Sequence, residues 1–213
     1  DTTVIQGSWS AGIQLNGGFM MAHRPSVVYL QEGHAMAGEL LIYRSIGPDK
    51  EWGHLYNFPM AGLAYRIIDF GNKEKIGLAH CIYPHLLLPI FSKHRMRLQA
   101  RLGAGIGYVQ KPFDTESNYK NLTIGSHLNA AVLFGLQTRI FTGHHRQLTL
   151  GIDLFHLSNG ATRVPNLGIN MPSLNIGYTF LEGKTKRCTR QLPPTKKIKI
   201  EPGFYYALKK KKK

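Results

Sequence analysis

From residue 96 onward, apolar side chains recur at every second position. Met96, Leu98, Ala100, Leu102, Ala104, Ile106 and Tyr108 form one face of a segment. Its other face is Arg97, Gln99, Arg101, Gly103, Gly105 and Gly107. The pattern returns in 128–141, where Leu128, Val132, Phe134, Leu136 and Ile140 oppose Asn129, Gln137 and Arg139. It returns again in Leu148–Leu154 and Leu174–Phe180. Strand side chains point alternately to opposite faces, so a period of two predicts strands. The first half is less regular, and strands are expected near 8–23, 33–44, 57–70 and 77–91. With 95–109, 123–141, 146–159 and 173–181 this makes about eight. Pro84 and Pro89 count against the fourth, because proline cannot donate to a ladder.

Alternation alone does not say which face is inside. A soluble lipocalin-like barrel is apolar within, and a membrane barrel is apolar without. Gly103, Gly105, Gly107, Gly135, Gly151 and Gly177 all share the polar face. A solvated exterior has no need of so many small residues, whereas a narrow eight-stranded lumen does. The expected fold is therefore all-β: an antiparallel up-and-down transmembrane barrel. Leu98, Leu102, Val132, Phe134, Leu150 and Ile176 should face lipid, with Arg97 and Gln137 in the lumen. The links 24–32, 71–76, 92–94 and 142–145 read as tight turns or short loops, and 110–122 and 160–172 as longer extracellular ones. Segment 45–56 is long for a periplasmic turn.

The chain has 213 residues, and only 18% are charged. One barrel domain over 1–181 is expected, followed by a tail, 182–213, outside the barrel wall. No run approaches the roughly 20 apolar residues of a transmembrane helix. Asp1 follows no basic or apolar leader, so the sequence reads as a processed form. The net charge of +15 is uneven: residues 182–213 hold 12 Lys and Arg against 2 acids, +10, leaving +5 for the body. A basic tail can attract anionic lipid or nucleic acid. A solvated end is the plainer reading, and no nucleic-acid partner is expected. Cys81 and Cys188 lack metal spacing; they either pair in an oxidising compartment or remain thiols. Of ten histidines only His144 and His145 are adjacent, so neither a metal nor a cofactor is expected.

On the seventh strand the apolar face Leu148, Leu150, Ile152, Leu154 changes to His156 and Ser158. Residues i and i+2 on a strand share a face, roughly 6–7 Å apart at Cα. One hydrogen bond can join such a pair, as nucleophile and base require for acyl transfer. Asn159 and Gly160 follow at once and offer donors for an oxyanion. The plain alternative is a strand turning polar as it leaves the membrane.

The stretch Leu148–Phe180, with His156-Leu157-Ser158-Asn159, Pro165-Asn166 and Gly168, resembles the lipid A 3-O-deacylase (PagL-type) family. Ser126-His127-Leu128-Asn129 and Arg101–Tyr108 resemble that family's preceding strands. The resemblance implies a bacterial outer-membrane ester hydrolase acting on lipid A of lipopolysaccharide in the outer leaflet. It implies Ser158 as nucleophile, His156 as general base, and Asn159 as an oxyanion contributor. The family's acidic triad member falls at position 170, where this chain has Asn170. An amide carbonyl can still accept from imidazole Nδ1–H, but it stabilises the imidazolium less than a carboxylate does. A non-catalytic barrel with a degraded triad, acting as a partner or assembly component, is the competing reading.

Overall fold

A computed structural model describes residues 2–5, 9–46, 53, 55–142, 145–181 and 185–188. Strands β1 (Thr2–Ile5) and β10 (Thr185–Cys188) pair as a separate two-stranded sheet. The other eight close into a barrel: β2 (Trp9–Gly18), β3 (Ala35–Ser45), β4 (Met60–Asp69), β5 (Leu78–Lys93), β6 (Met96–Val109), β7 (Leu128–Phe141), β8 (Arg146–Ser158) and β9 (Ile169–Leu181). Each pairs antiparallel with the next, and β9 returns to β2 from Ser10↔Leu181 to Gly18↔Ser173. Closure removes both free edges, which is what a sheet in hydrocarbon requires.

The faces fall as the glycines imply. Phe134 and Ile176 are 57% and 51% exposed, while Arg97 and Gln137 on the opposite face are 5% and 6% exposed. Leu102 and Leu150 also point outward, and Leu98 and Val132 are half-buried on that wall. The lumen holds Arg66–Asp153 at 2.9 Å and Arg101 on both Glu39 oxygens at 2.9 and 2.7 Å. Charges removed from water need such partners, because an unpaired one costs several kcal/mol, on the order of 3–5. Bulky lumen side chains leave no room for a side chain at two of these glycines. A Cβ on Gly103 would lie 2.8 Å from the Tyr83 ring, and one on Gly107 2.7 Å from Leu157. Cys81 is a free, buried thiol on the same side.

Toward one end the lumen changes character. Ile68, Ala79, Ala131, Leu133, Phe155, Leu157 and Met171 make it apolar there. The loops of that end extend the cluster with Met20, Val27, Leu30, Phe70, Ile76 and Ile124. Burying side chains of this kind stabilises by roughly 1.5–3 kcal/mol each. Asn118 and Asn121 tie the β6–β7 loop to the β4–β5 loop through Lys75 O, and Tyr29 of the β2–β3 loop donates to Lys120 O. The opposite end carries the two-residue β5–β6 turn and the short β7–β8 turn. Apart from the 46–59 connection between β3 and β4, which shares the short-turn end, this is the outer-membrane pattern of long loops at one end and short turns at the other.

Several boundaries differ from expectation. β2 stops at Gly18, and 19–34 is a substantial loop holding a 3-10 helix, Pro25–Leu30. β5 runs through both prolines, and its pairing with β6 shifts register between Pro89 and Phe91. β7 begins at Leu128 rather than 123, and β9 begins at Ile169 rather than 173. Most of the tail, 182–184 and 189–213, and His144 of the His pair lie outside the described residues.

Candidate active site

β8 carries His156 and then Ser158, its last residue, on the outward face at the long-loop end. β9 lies beside it in antiparallel register, with His156↔Asn170 as direct partners. Asn170 is thus a strand residue, not a member of the expected 160–172 loop. Its Oδ1 lies 2.8 Å from His156 Nδ1. A carbonyl oxygen only accepts, so Nδ1 carries a proton, and in the neutral imidazole the lone pair is then on Nε2. All three side chains are half-buried.

Ser158 is placed by the loop that follows it. Gly160 N–H donates to Ser158 Oγ at 3.1 Å, and Asn166 Nδ2 donates to the same oxygen at 3.2 Å. Gly160 has φ +63°, a conformation that glycine adopts without steric cost. Among the described residues, no hydrogen bond joins His156 to Ser158. Asn159 faces inward. Its N–H donates to Asn166 Oδ1 at 3.0 Å, and its amide donates to Ser126 Oγ and to Arg163 O at 3.0 and 2.7 Å. Asn159 therefore orients Asn166 and fixes the loop, and Asn166 is the amide at the serine.

Gly168 closes the site from the other side. Its N–H donates to Thr123 O at 2.9 Å, its φ is +76°, and a Cβ there would lie 2.9 Å from His156 Cε1. Below the polar group the outer wall is apolar. Leu154 and Pro172, each two residues from His156 and Asn170, border a groove of about 750 Å³ with Phe19, Phe134, Ile152 and Leu174. On the loop side lies a polar cavity of about 480 Å³, bordered by Lys111, Asp114, His127 and Arg163. Ser117 N–H and hydroxyl and Glu116 N–H donate to the Asp114 carboxylate and hold it below its usual range. Among the described residues, no three His, Cys, Asp or Glu side chains gather as a metal site.

A serine, an imidazole with an amide carbonyl at Nδ1, and N–H donors at the serine oxygen suit acyl transfer at a lipid surface. The family model for lipid A 3-O-deacylase (PagL) matches residues 38–179, two thirds of the chain and a span that contains His156, Ser158 and Asn170. The chain belongs to the lipid A 3-O-deacylase family. Its barrel is similar to the crystal structure of the outer membrane enzyme PagL, with TM-score 0.54 and 18% identity over 78% of this chain and 97% of that one. It is similar also to Neisserial surface protein A, with TM-score 0.53 and 8% identity over 84% and 99%. At these identities the likeness is one of fold. No curated protein matches the chain.

Sequence reasoning for this lipid A 3-O-deacylase family member grouped His156, Ser158 and Asn170, and the barrel brings the three to one rim. It gave no role to Asn166, although Pro165-Asn166 was part of the motif. It also missed His23, whose Nδ1 lies 3.3 Å from Asn170 Nδ2. No local pattern marks His23, because the contact joins residues 147 positions apart.

Proposed function

We propose that the chain is an outer-membrane serine esterase that removes an ester-linked acyl chain from lipid A. The observation that carries this is the 2.8 Å contact between His156 Nδ1 and Asn170 Oδ1 on the lipid-facing wall beside Ser158. With Nδ1–H held by Asn170, Nε2 is the basic nitrogen. Rotation of the Ser158 hydroxyl toward it delivers the proton as Oγ attacks the ester carbonyl. Gly160 N–H and Asn166 Nδ2 already point at Ser158 Oγ and lie beside the carbonyl oxygen as it becomes an oxyanion. His156 returns the proton to the departing sugar oxygen, and water then cleaves the acyl-serine by the reverse sequence. The apolar groove suits the acyl chain, and the cavity with Lys111 and Arg163 suits a phosphorylated sugar. The substrate would be lipopolysaccharide of the bacterial outer leaflet. The basic segment 182–213 would lie outside the wall, a placement supported by the pairing of β10 with β1.

One observation favours the non-catalytic reading. The orienter is a neutral amide, and the Ser158 hydroxyl is bonded to Gly160 and Asn166. A fluorophosphonate reagent separates the two. An activated Ser158 forms a covalent adduct that His156→Ala abolishes, and a degraded triad forms none.

A further inference from the structure

The geometry points to His23 as the residue that makes Asn170 a competent orienter of His156. This role rests on the esterase reading above.

An asparagine amide has two ends of nearly equal size, one accepting and one donating. With Oδ1 toward His156, the imidazole proton sits on Nδ1 and Nε2 is free to take the serine proton. With the amide reversed, Nδ2 donates to Nδ1, the proton moves to Nε2, and the base cannot act. In a serine-protease triad the Asp→Asn change leaves geometry intact yet lowers kcat by about 10⁴ through the wrong tautomer. A carboxylate has no reversed state, so the question arises only because residue 170 is Asn.

His23 supplies the missing preference. Asn170 Nδ2 can only donate, and His23 Nδ1 faces it at 3.3 Å, so that nitrogen accepts. Reversing the amide would set Oδ1 against the same lone pair unless the His23 proton moved from Nε2 to Nδ1, the less favoured tautomer of a free imidazole. Either the hydrogen bond is lost or the less favoured tautomer is taken, and both count against the unproductive arrangement. The β2–β3 loop holds His23 in place. Met21 N–H donates to the backbone carbonyl of Asn170 itself at 2.8 Å, and Phe19 N–H to that of Pro172 at 3.4 Å. Beyond His23, Val27 and Leu30 of the 3-10 turn are buried, and Gln31 donates back to Met20 O. His23 is exposed and has no bond to Ser158, so it is a positioning residue.

The test combines a double-mutant cycle with a tautomer measurement. His23→Ala should lower kcat for lipid A deacylation on the order of two- to fivefold with KM unchanged, the scale of one neutral hydrogen bond. His23→Asn, which keeps an acceptor near the Nδ1 position, should recover most of it. In an Asn170→Asp background the same His23→Ala change should have no effect. In ¹⁵N-histidine-labelled protein in micelles, the His156 ring should be protonated at Nδ1 in the parent and shift toward Nε2 in His23→Ala. An equal loss in both backgrounds, or an unchanged tautomer, overturns the role. If Ser158→Ala deacylates as fast as the parent, the esterase reading fails separately, and the ring nitrogens still decide what His23 does.

Discussion

His156 and Asn170 face each other as direct cross-strand partners on β8 and β9, with Nδ1 and Oδ1 2.8 Å apart. Two rigid strands, not a loop, set the geometry of the base. Asn170→Asp keeps the length and the acceptor and adds charge where the imidazolium develops. We expect kcat to rise on the order of tenfold or more, within the roughly 10⁴ that separates Asp from Asn in a protease triad. Steady-state deacylation of lipid A in micelles measures it, and a fall in kcat would show that residue 170 does not act through His156. Asn170→Glu should gain less, because the added methylene overshoots a partner already in contact.

Gly168 touches the imidazole edge. Gly168→Ala places a methyl 2.9 Å from His156 Cε1 at a position with φ +76°. The left-handed conformation alone costs about 1–2 kcal/mol for a residue with a side chain. The ring must move, so kcat should drop about tenfold or more while thermal unfolding still reports a folded barrel. Unchanged kcat would mean that the imidazole does not need its present place.

Asn166 is the amide at the serine. Asn166→Asp keeps the acceptor for Asn159 N–H but removes the donor and sets a negative charge where the oxyanion forms. Loss of one such donor costs about 10²–10³ in kcat. Asn159→Ala should act through the same loop and be largely non-additive with it, which a double-mutant cycle on kcat reads directly.

Inside the barrel, Asp153 accepts from Arg66 at 2.9 Å and from Ser173, with its side chain and that of Arg66 nearly fully buried. Asp153→Ala leaves Arg66 uncompensated and should cost roughly 3–5 kcal/mol of stability. Replacing both, as Arg66→Met with Asp153→Ala, should recover much of that. Thermal unfolding of the three variants checks the order, and a double variant less stable than Asp153→Ala would contradict the pairing.

How much of this was legible in the sequence follows from what fills the lumen. Where β6, β7 and β8 hold Arg97, Gln99, Gln137 and Gln147 inside, apolar and polar residues alternate and the strand limits are read to within a few residues. Near the long loops the inward face turns apolar, and on β8 and β9 the outward face carries His156, Ser158 and Asn170, so the polar-in, apolar-out period of two breaks down. Met171 and Ile169 point into that apolar lumen while Pro172 and Asn170 point out. That is why the start of β9 was hidden and Asn170 was assigned to a loop. Ala64, Ile68, Ala79 and Cys81 blur β4 and β5 in the same way. His156 and Ser158 were visible because they interrupt an apolar stripe at spacing two. His23 and Asn166 act through contacts set by loop packing, which spacing along the chain does not encode.

The central claim is that Ser158, activated by His156, cleaves an acyl ester of lipid A. Mass spectrometry of lipid A incubated with the purified protein in micelles tests it most directly. The parent should release one fatty acid per lipid A, and Ser158→Ala and His156→Ala should each leave the lipid intact. Release by Ser158→Ala at the parent rate, or no release by the parent, would contradict it and leave a barrel without catalysis.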